Sequence, residues 1–178
     1  SAFSVTSAEK PLLNILTDQV NDVGKLPSQC KHGYVVKVAN SSSEDDDYYV
    51  KFEGQNNTDG EGSWVECAKP GIETTFDAAT MPIQIVRKAN GNFEVGTVDW
   101  DVRQVGDDDS NKKPTFVGKT INNMLFYRNR LVFLSDENVI LSRPGDFFNF
   151  WAKTAITFTA SDVIDVAASS TFPAKLFD

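Results

Sequence analysis

The sequence predicts a mainly β fold of the α+β class. It is expected to be an antiparallel sheet domain with one N-terminal helix, followed by a hairpin meander resembling a first β-propeller blade. Three observations predict it. Apolar residues recur at period two in short runs from residue 33 onwards. The runs are separated by Asn-, Asp- and Gly-rich breaks of hairpin length. One earlier stretch, residues 7–23, carries helical spacing instead.

That helix is expected to start at Ser7 as cap, with Pro11 tolerated in its first turn. Leu12, Ile15, Leu16, Val20 and Val23 form its apolar stripe, and Asn14, Asp18, Asn21 and Asp22 its polar face. Gly24 and Pro27 end it. From Gly33 the period becomes two. Tyr34, Val36 and Val38 share one side of a strand, and Tyr48, Val50 and Phe52 share one side of the next. The two read as an antiparallel pair joined by a solvated loop over 40–47. A second polar loop, 55–62, leads to a strand over 63–67. A strand over 81–88 and a return strand over 93–100 flank Asn90-Gly91, the preferred pair for a type I′ turn. Residues 106–114, GDDDSNKKP, read as a linker between a unit over 1–105 and a second over 115–178.

The second unit opens with three strands, 121–127, 130–135 and 138–142, broken at Arg128-Asn129 and Asp136-Glu137. Arg143-Pro144-Gly145-Asp146 stops the meander, an aromatic cluster follows at 147–151, and 155–159 and 163–168 alternate weakly. Four strands at this spacing suit one propeller blade, whose faces require neighbouring blades.

Chemistry-bearing patterns are sparse. His32 is the one histidine, so no Ser-His-Asp or Cys-His set forms without it, and its half-site with Cys30 lacks further ligands. Cys30 and Cys67 show no CxxC spacing; they stand either as free thiols or as a disulfide. The acidic runs at 44–47, 59–61, 99–101 and 107–109 lack the calcium-loop pattern and read as solvated loops. Neither a Walker loop nor a GxGxxG occurs, so no cofactor is expected. A net charge of −8, with both signs spread evenly, argues against phosphate-neutralising nucleic-acid binding. No apolar run approaches the roughly 20 residues of a membrane span, and no signal peptide is read. The chain reads as a piece of a longer protein. Arg128 and Arg130 around Asn129 have two readings: phosphate contacts or intersubunit ion pairs, or braces on nearby carbonyls and acids. Trp64, Trp100 and Trp151 with the acidic loops leave a carbohydrate- or receptor-binding module as an alternative, and paired Asp/Glu catalysis as a weaker one.

Several blocks taken in order add a resemblance. They are Asp47-Tyr48-Tyr49-Val50-Lys51-Phe52, Trp64-Val65-Glu66, Thr80-Met81-Pro82 and Val105-Gly106-Asp107 in the first unit. In the second they are Phe126-Tyr127-Arg128-Asn129-Arg130-Leu131, Asn138-Val139-Ile140-Leu141-Ser142 and Gly145-Asp146-Phe147-Phe148-Asn149-Phe150. Together, over about residues 28–170, they resemble the tail tubular protein B family, the tail nozzle proteins of short-tailed bacteriophages. The resemblance implies a non-enzymatic virion protein made in the bacterial cytoplasm, and a homo-oligomeric ring, usually of six subunits. Its implied partners are the adaptor ring, fibres and other tail proteins, with DNA passing through the channel without sequence-specific binding. It implies a β-rich domain before a β-propeller, the first blade starting near residue 115. The motif residues it singles out are structural: Arg128, Asn129, Arg130, Ser142, Gly145 and Asp146. It carries over no catalytic residue, and the helix at 7–23 lies outside its blocks.

Overall fold

Period-two patterning gives two sheets and a projecting hairpin in the computed structural model, which describes residues 18–39, 47–157 and 159–168. The first sheet comprises β1 (Gln19–Val20), β2 (Gln29–Cys30), β3 (Val35–Val38), β4 (Tyr48–Gly54) and β5 (Gly60–Cys67), in the order β1-β3-β4-β5-β2. β3 and β4 run antiparallel, with Val36 opposite Val50 and Val38 opposite Tyr48. That register puts Val36, Val38 and Val50 into one buried cluster with Val20, Leu26, Tyr34, Tyr48 and Trp64 packed around it. Phe52 meets Trp64 edge to face at 5.2 Å, and the Trp64 indole N–H donates to the Pro27 carbonyl at 2.8 Å. The β4–β5 pairing closes on Gly54 opposite Gly62. A Cβ on Gly54 would lie 1.8 Å from the Thr58 carbonyl oxygen, and one on Gly62 2.2 Å from that of Glu53. Only glycine fits at this approach of backbones.

The helix expected over 7–23 is corrected here. Residues 18–23, its described part, are not helical: Gln19–Val20 pairs parallel with Lys37 and Val38, and Asp22 is extended at φ −156° and ψ 121°. Val23–Lys25 is a three-residue 3-10 turn, its Gly24 N–H donating to the Asp22 carboxylate at 2.8 Å. The described residues hold no longer helix than such turns. The physical reason is non-local pairing. The Lys37 and Ala39 amides donate to the Asp18 and Val20 carbonyls, and Val20 joins the cluster of the first sheet, overriding local helical spacing. Residues 7–17 and the 40–46 loop lie outside the described residues.

β5 starts at Gly60, three residues before the expected strand, because a 3-10 turn at Gln55–Asn57 shortens the polar loop. β6 (Ile83–Arg87) and β7 (Phe93–Thr97) form the expected hairpin as a two-stranded sheet of their own, but its turn is not type I′: the last pair is Arg87 with Phe93, and Gly91 but not Asn90 has positive φ. The return strand ends at Thr97 rather than running to Trp100.

β8 (Asn123–Tyr127), β9 (Arg130–Ser135), β10 (Asn138–Leu141) and β11 (Ile164–Ala167) form the second sheet in the sequential order β11-β10-β9-β8, each pair antiparallel. The weakly alternating stretch at 155–157 is not a strand. Under β9 lies the main core: Met81, Phe116, Leu131, Phe133, Ile140 and Phe150, with Phe76, Trp100, Ile121 and Phe147 against it. Phe133 stacks on Phe150 at 4.8 Å, and Phe116 meets each of them edge-on at 5.2 Å. Each such ring, fully buried, contributes about 1.5–3 kcal/mol. This core fixes the loop at 143–150 over the β8–β9 turn.

Candidate functional site

The six motif residues converge around that turn. Tyr127 pairs with Arg130, leaving Arg128 and Asn129 as a two-residue turn at φ 47° and 61°, the signature of type I′. The Asn129 carbonyl accepts the Gly145 N–H at 2.7 Å. Gly145 stands at φ 75°, and a Cβ there would sit 3.3 Å from the Asn129 amide nitrogen. Asp146 returns the loop: its N–H donates to the Arg143 carbonyl, and its carboxylate accepts the Asn149 side-chain amide at 3.0 Å. Ser142, fully buried, accepts the Leu131 N–H at 3.0 Å through Oγ and donates that hydroxyl to the Arg143 carbonyl.

Arg130 is the centre of the assembly. It is 6% exposed, and its guanidinium donates to three carbonyls: Ser142 at 2.7 Å, Asp162 at 2.6 Å and Ala160 at 2.7 Å. The planar fork reaches all three acceptors from its two terminal nitrogens. Arg128 instead points to the surface, its guanidinium 5.4 Å from the centre of the Tyr127 ring. The two arginines of the turn thus sit in opposite environments.

Asp162 completes the bracing. Its buried carboxylate accepts the Lys153 N–H at 3.0 Å, the Thr159 N–H at 2.7 Å and the Thr159 hydroxyl at 3.0 Å. Burial pushes its pKa up, but these bonds outweigh burial and the net direction is down. Residues 159–162 show no strand or helix periodicity, so sequence inspection missed Asp162. An acid placed three residues after a Thr was the available signal.

A second joint links the sheets. The Gly106 amide donates to the Cys67 carbonyl and the Lys69 amide to the Gly106 carbonyl. The Glu66 carboxylate accepts the Ala155 N–H at 2.5 Å and the Thr154 hydroxyl at 2.8 Å. Within 106–114, buried Asp107 accepts from the Ser110 and Asp109 amides, and buried Asn111 bonds both Val105 and Ala152. Burial raises the Asp107 pKa, and the Ser110 and Asp109 bonds more than reverse it, so the net shift is downward. Arg103 is buried here over the Trp151 ring at 4.6 Å and pairs with Asp108 at 2.8 Å.

The other candidate residues are drawn into structure. His32 Nδ1 accepts the Gly54 N–H at 3.2 Å, while its own amide donates to Asp59. No three His, Cys, Asp or Glu side chains among the described residues are placed to hold a metal ion. Cys30 and Cys67 are free thiols, and burial pushes Cys67 up to about 11. Trp151 is buried with its N–H on the Asp101 carbonyl, and Trp64 and Trp100 are packed into the two cores. A groove of about 730 Å³ beside Phe76 and Phe116 has its lysines paired: Lys113 with Glu73, and Lys119 with Asp136. No helix among the described residues is long and apolar enough to cross a membrane. The arrangement positions backbone.

The family model described as bacteriophage nozzle protein matches residues 4–177. The tail tubular protein gp12 of Escherichia phage T7 is 38% identical to the chain over 160 residues, covering 89% of it. The match takes in 20% of gp12, so the chain spans about a fifth of the length of that curated relative.

Proposed function

The chain belongs to the bacteriophage nozzle protein family, and from that premise we propose that it serves as a structural segment of the phage tail. Its place would be in the nozzle ring through which DNA leaves the capsid. The observation that carries the proposal is the 38% identity to a tail tubular protein across 89% of the chain. The proposed role is non-enzymatic, and the motif geometry supports it, because Arg130, Ser142, Gly145 and Asp146 are engaged in holding backbone. The proposed partners are further copies of the parent protein in a ring, usually of six, together with the adaptor ring and fibres. The proposed location is the virion, after synthesis in the bacterial cytoplasm. A net charge of −8 supports passage of DNA without capture, since like charge weakens adhesion to phosphate.

We also propose the division into a β-rich unit over 1–105, a connecting segment over 106–114 and a propeller-blade unit over 115–178. The sequential four-stranded order β11-β10-β9-β8 supports the blade. Electron microscopy of the full-length parent protein tests the proposal. Closed rings with an axial channel are expected, and particles with no ring at any protein concentration would overturn it.

A further inference from the structure

The hairpin β6–β7 is an arm without cover. It leaves the main core at Met81 and returns at Val98, both buried, and between them its strands are exposed. The register puts Ile85 opposite Val95 and Arg87 opposite Phe93, so Ile83, Ile85, Val95 and Phe93 share one face. Those four are between 60% and 68% exposed. An isolated two-stranded hairpin is marginal in water, and an aliphatic face of this size on it calls for a partner.

A second uncovered surface of different character lies at the sheet edge. Among the described residues β8 has no strand on its outer side. Met124 and Phe126 lie on one of its faces, 53% and 70% exposed, with Phe126 edge-on to Phe147 at 5.3 Å. Exposed Phe148 extends the aromatic surface towards Trp100. Aromatic rings and Met are the side chains enriched at the centres of protein interfaces. Acids flank this patch: the Asp101 amide donates to the Phe148 carbonyl, Asp146 lies close to Asp101, and Asp99 is exposed beside them. The arm carries the opposite balance, with Arg87 and Lys88 against Glu94, in a chain of net charge −8.

We propose that the β6–β7 arm of one copy seats its Ile83, Ile85, Phe93 and Val95 face on the Met124, Phe126 and Phe148 patch of a second copy. The proposal rests on the ring assembly proposed above and names the surface that would build it. Two different surfaces on one chain, one carrying Arg87 beside its apolar face and the other flanked by Asp99 and Asp101, make a head-to-tail contact, and such a contact closes into a ring when the rotation permits. Five-residue strands rise about 3.3 Å per residue, giving the arm a reach of roughly 16 Å, enough to cross a subunit boundary.

The test uses the full-length parent protein. Two differently tagged versions with the native cysteines replaced by serine are co-expressed, one Ile85→Cys and the other Phe126→Cys, and treated with a short bismaleimide. The expected product is a crosslinked species carrying both tags, absent when either substitution is present alone. Crosslinking confined to single chains that carry both substitutions would mean that the parent chain covers its own arm, and would overturn the proposal; so would no crosslink in assembled rings. A second variant, Ile85→Asp with Phe93→Asp, is expected to lower the fraction in rings at least about tenfold, one hot-spot-sized loss. Its circular dichroism and melting should match those of the parent. Rings that persist in it overturn the arm contact and leave the nozzle reading standing. Absence of rings in the unsubstituted parent overturns the nozzle reading itself.

Discussion

Replacing Arg130 with Met removes three donated hydrogen bonds and strands three carbonyls under β9 and β10. Arg130→Met is expected to cost roughly 3–5 kcal/mol in urea unfolding, and Arg130→Lys less, because its ammonium keeps part of the bonding. Arg128→Met, at the surface, should change stability little, which makes the pair an internal control. Asp162 and Asp107 set an acid limit. Their folded pKa values are lowered, so the stability they contribute is present above the unfolded value of about 3.9 and is lost as pH falls through the folded values. Unfolding midpoints measured between about pH 5 and pH 2 should fall, and Asp162→Asn should flatten that fall while lowering stability at neutral pH. The Cys67 thiol, pushed up to about 11 by burial, should label slowly with a thiol reagent at pH 8 and quickly after denaturation. At this scale sequence was informative only about neighbours. It placed Arg130 on the turn, but the carbonyls it holds at Ala160 and Asp162 lie 30 and 32 positions away and leave no spacing signal.

Local chemistry dictates the hairpins, and so they were legible. Asn129, Asp136 and Gly91 take positive φ at these turns, as Asn, Asp and Gly readily do, whereas Asn90 does not. Arg128 is the poorly suited member at φ 47°, so Arg128→Gly should be neutral or stabilising by up to about 1 kcal/mol, less the lost contact with Tyr127. Gly145→Ala should instead destabilise by about 1–2 kcal/mol, since φ 75° disfavours a side chain and its Cβ would crowd Asn129. Thermal melting of the two variants side by side checks both signs. The helix expected over 7–23 failed over 18–23 for the converse reason. Val20 and Val23 match a helical period, yet β1 is made by pairing with β3 some eighteen residues later, and pairing partners are invisible to periodicity. Strand ends slipped by a few residues where 3-10 turns and loop bonds took over the backbone, as at Gln55–Asn57.

On the scale of the whole molecule, the two sheets meet through Glu66, Gly106 and Asn111. A single cooperative melting transition is therefore expected. Glu66→Ala, which leaves the Ala155 amide without its acceptor, should broaden or split it in calorimetry. The composition of 106–114 showed turns and charge but not that Asp107, Ser110 and Asn111 are buried, because satisfied polar side chains look like solvated ones in sequence. The family was legible from ordered blocks, whereas the surfaces that would join one copy to the next appear only when exposure is known. One further consequence follows from the Arg130 clamp, in mechanical terms. Its bonds to Ala160 and Asp162 attach the 159–162 segment to the sheet side by side. A force drawing that segment away loads them in parallel, so they share the load and yield together rather than peeling off singly.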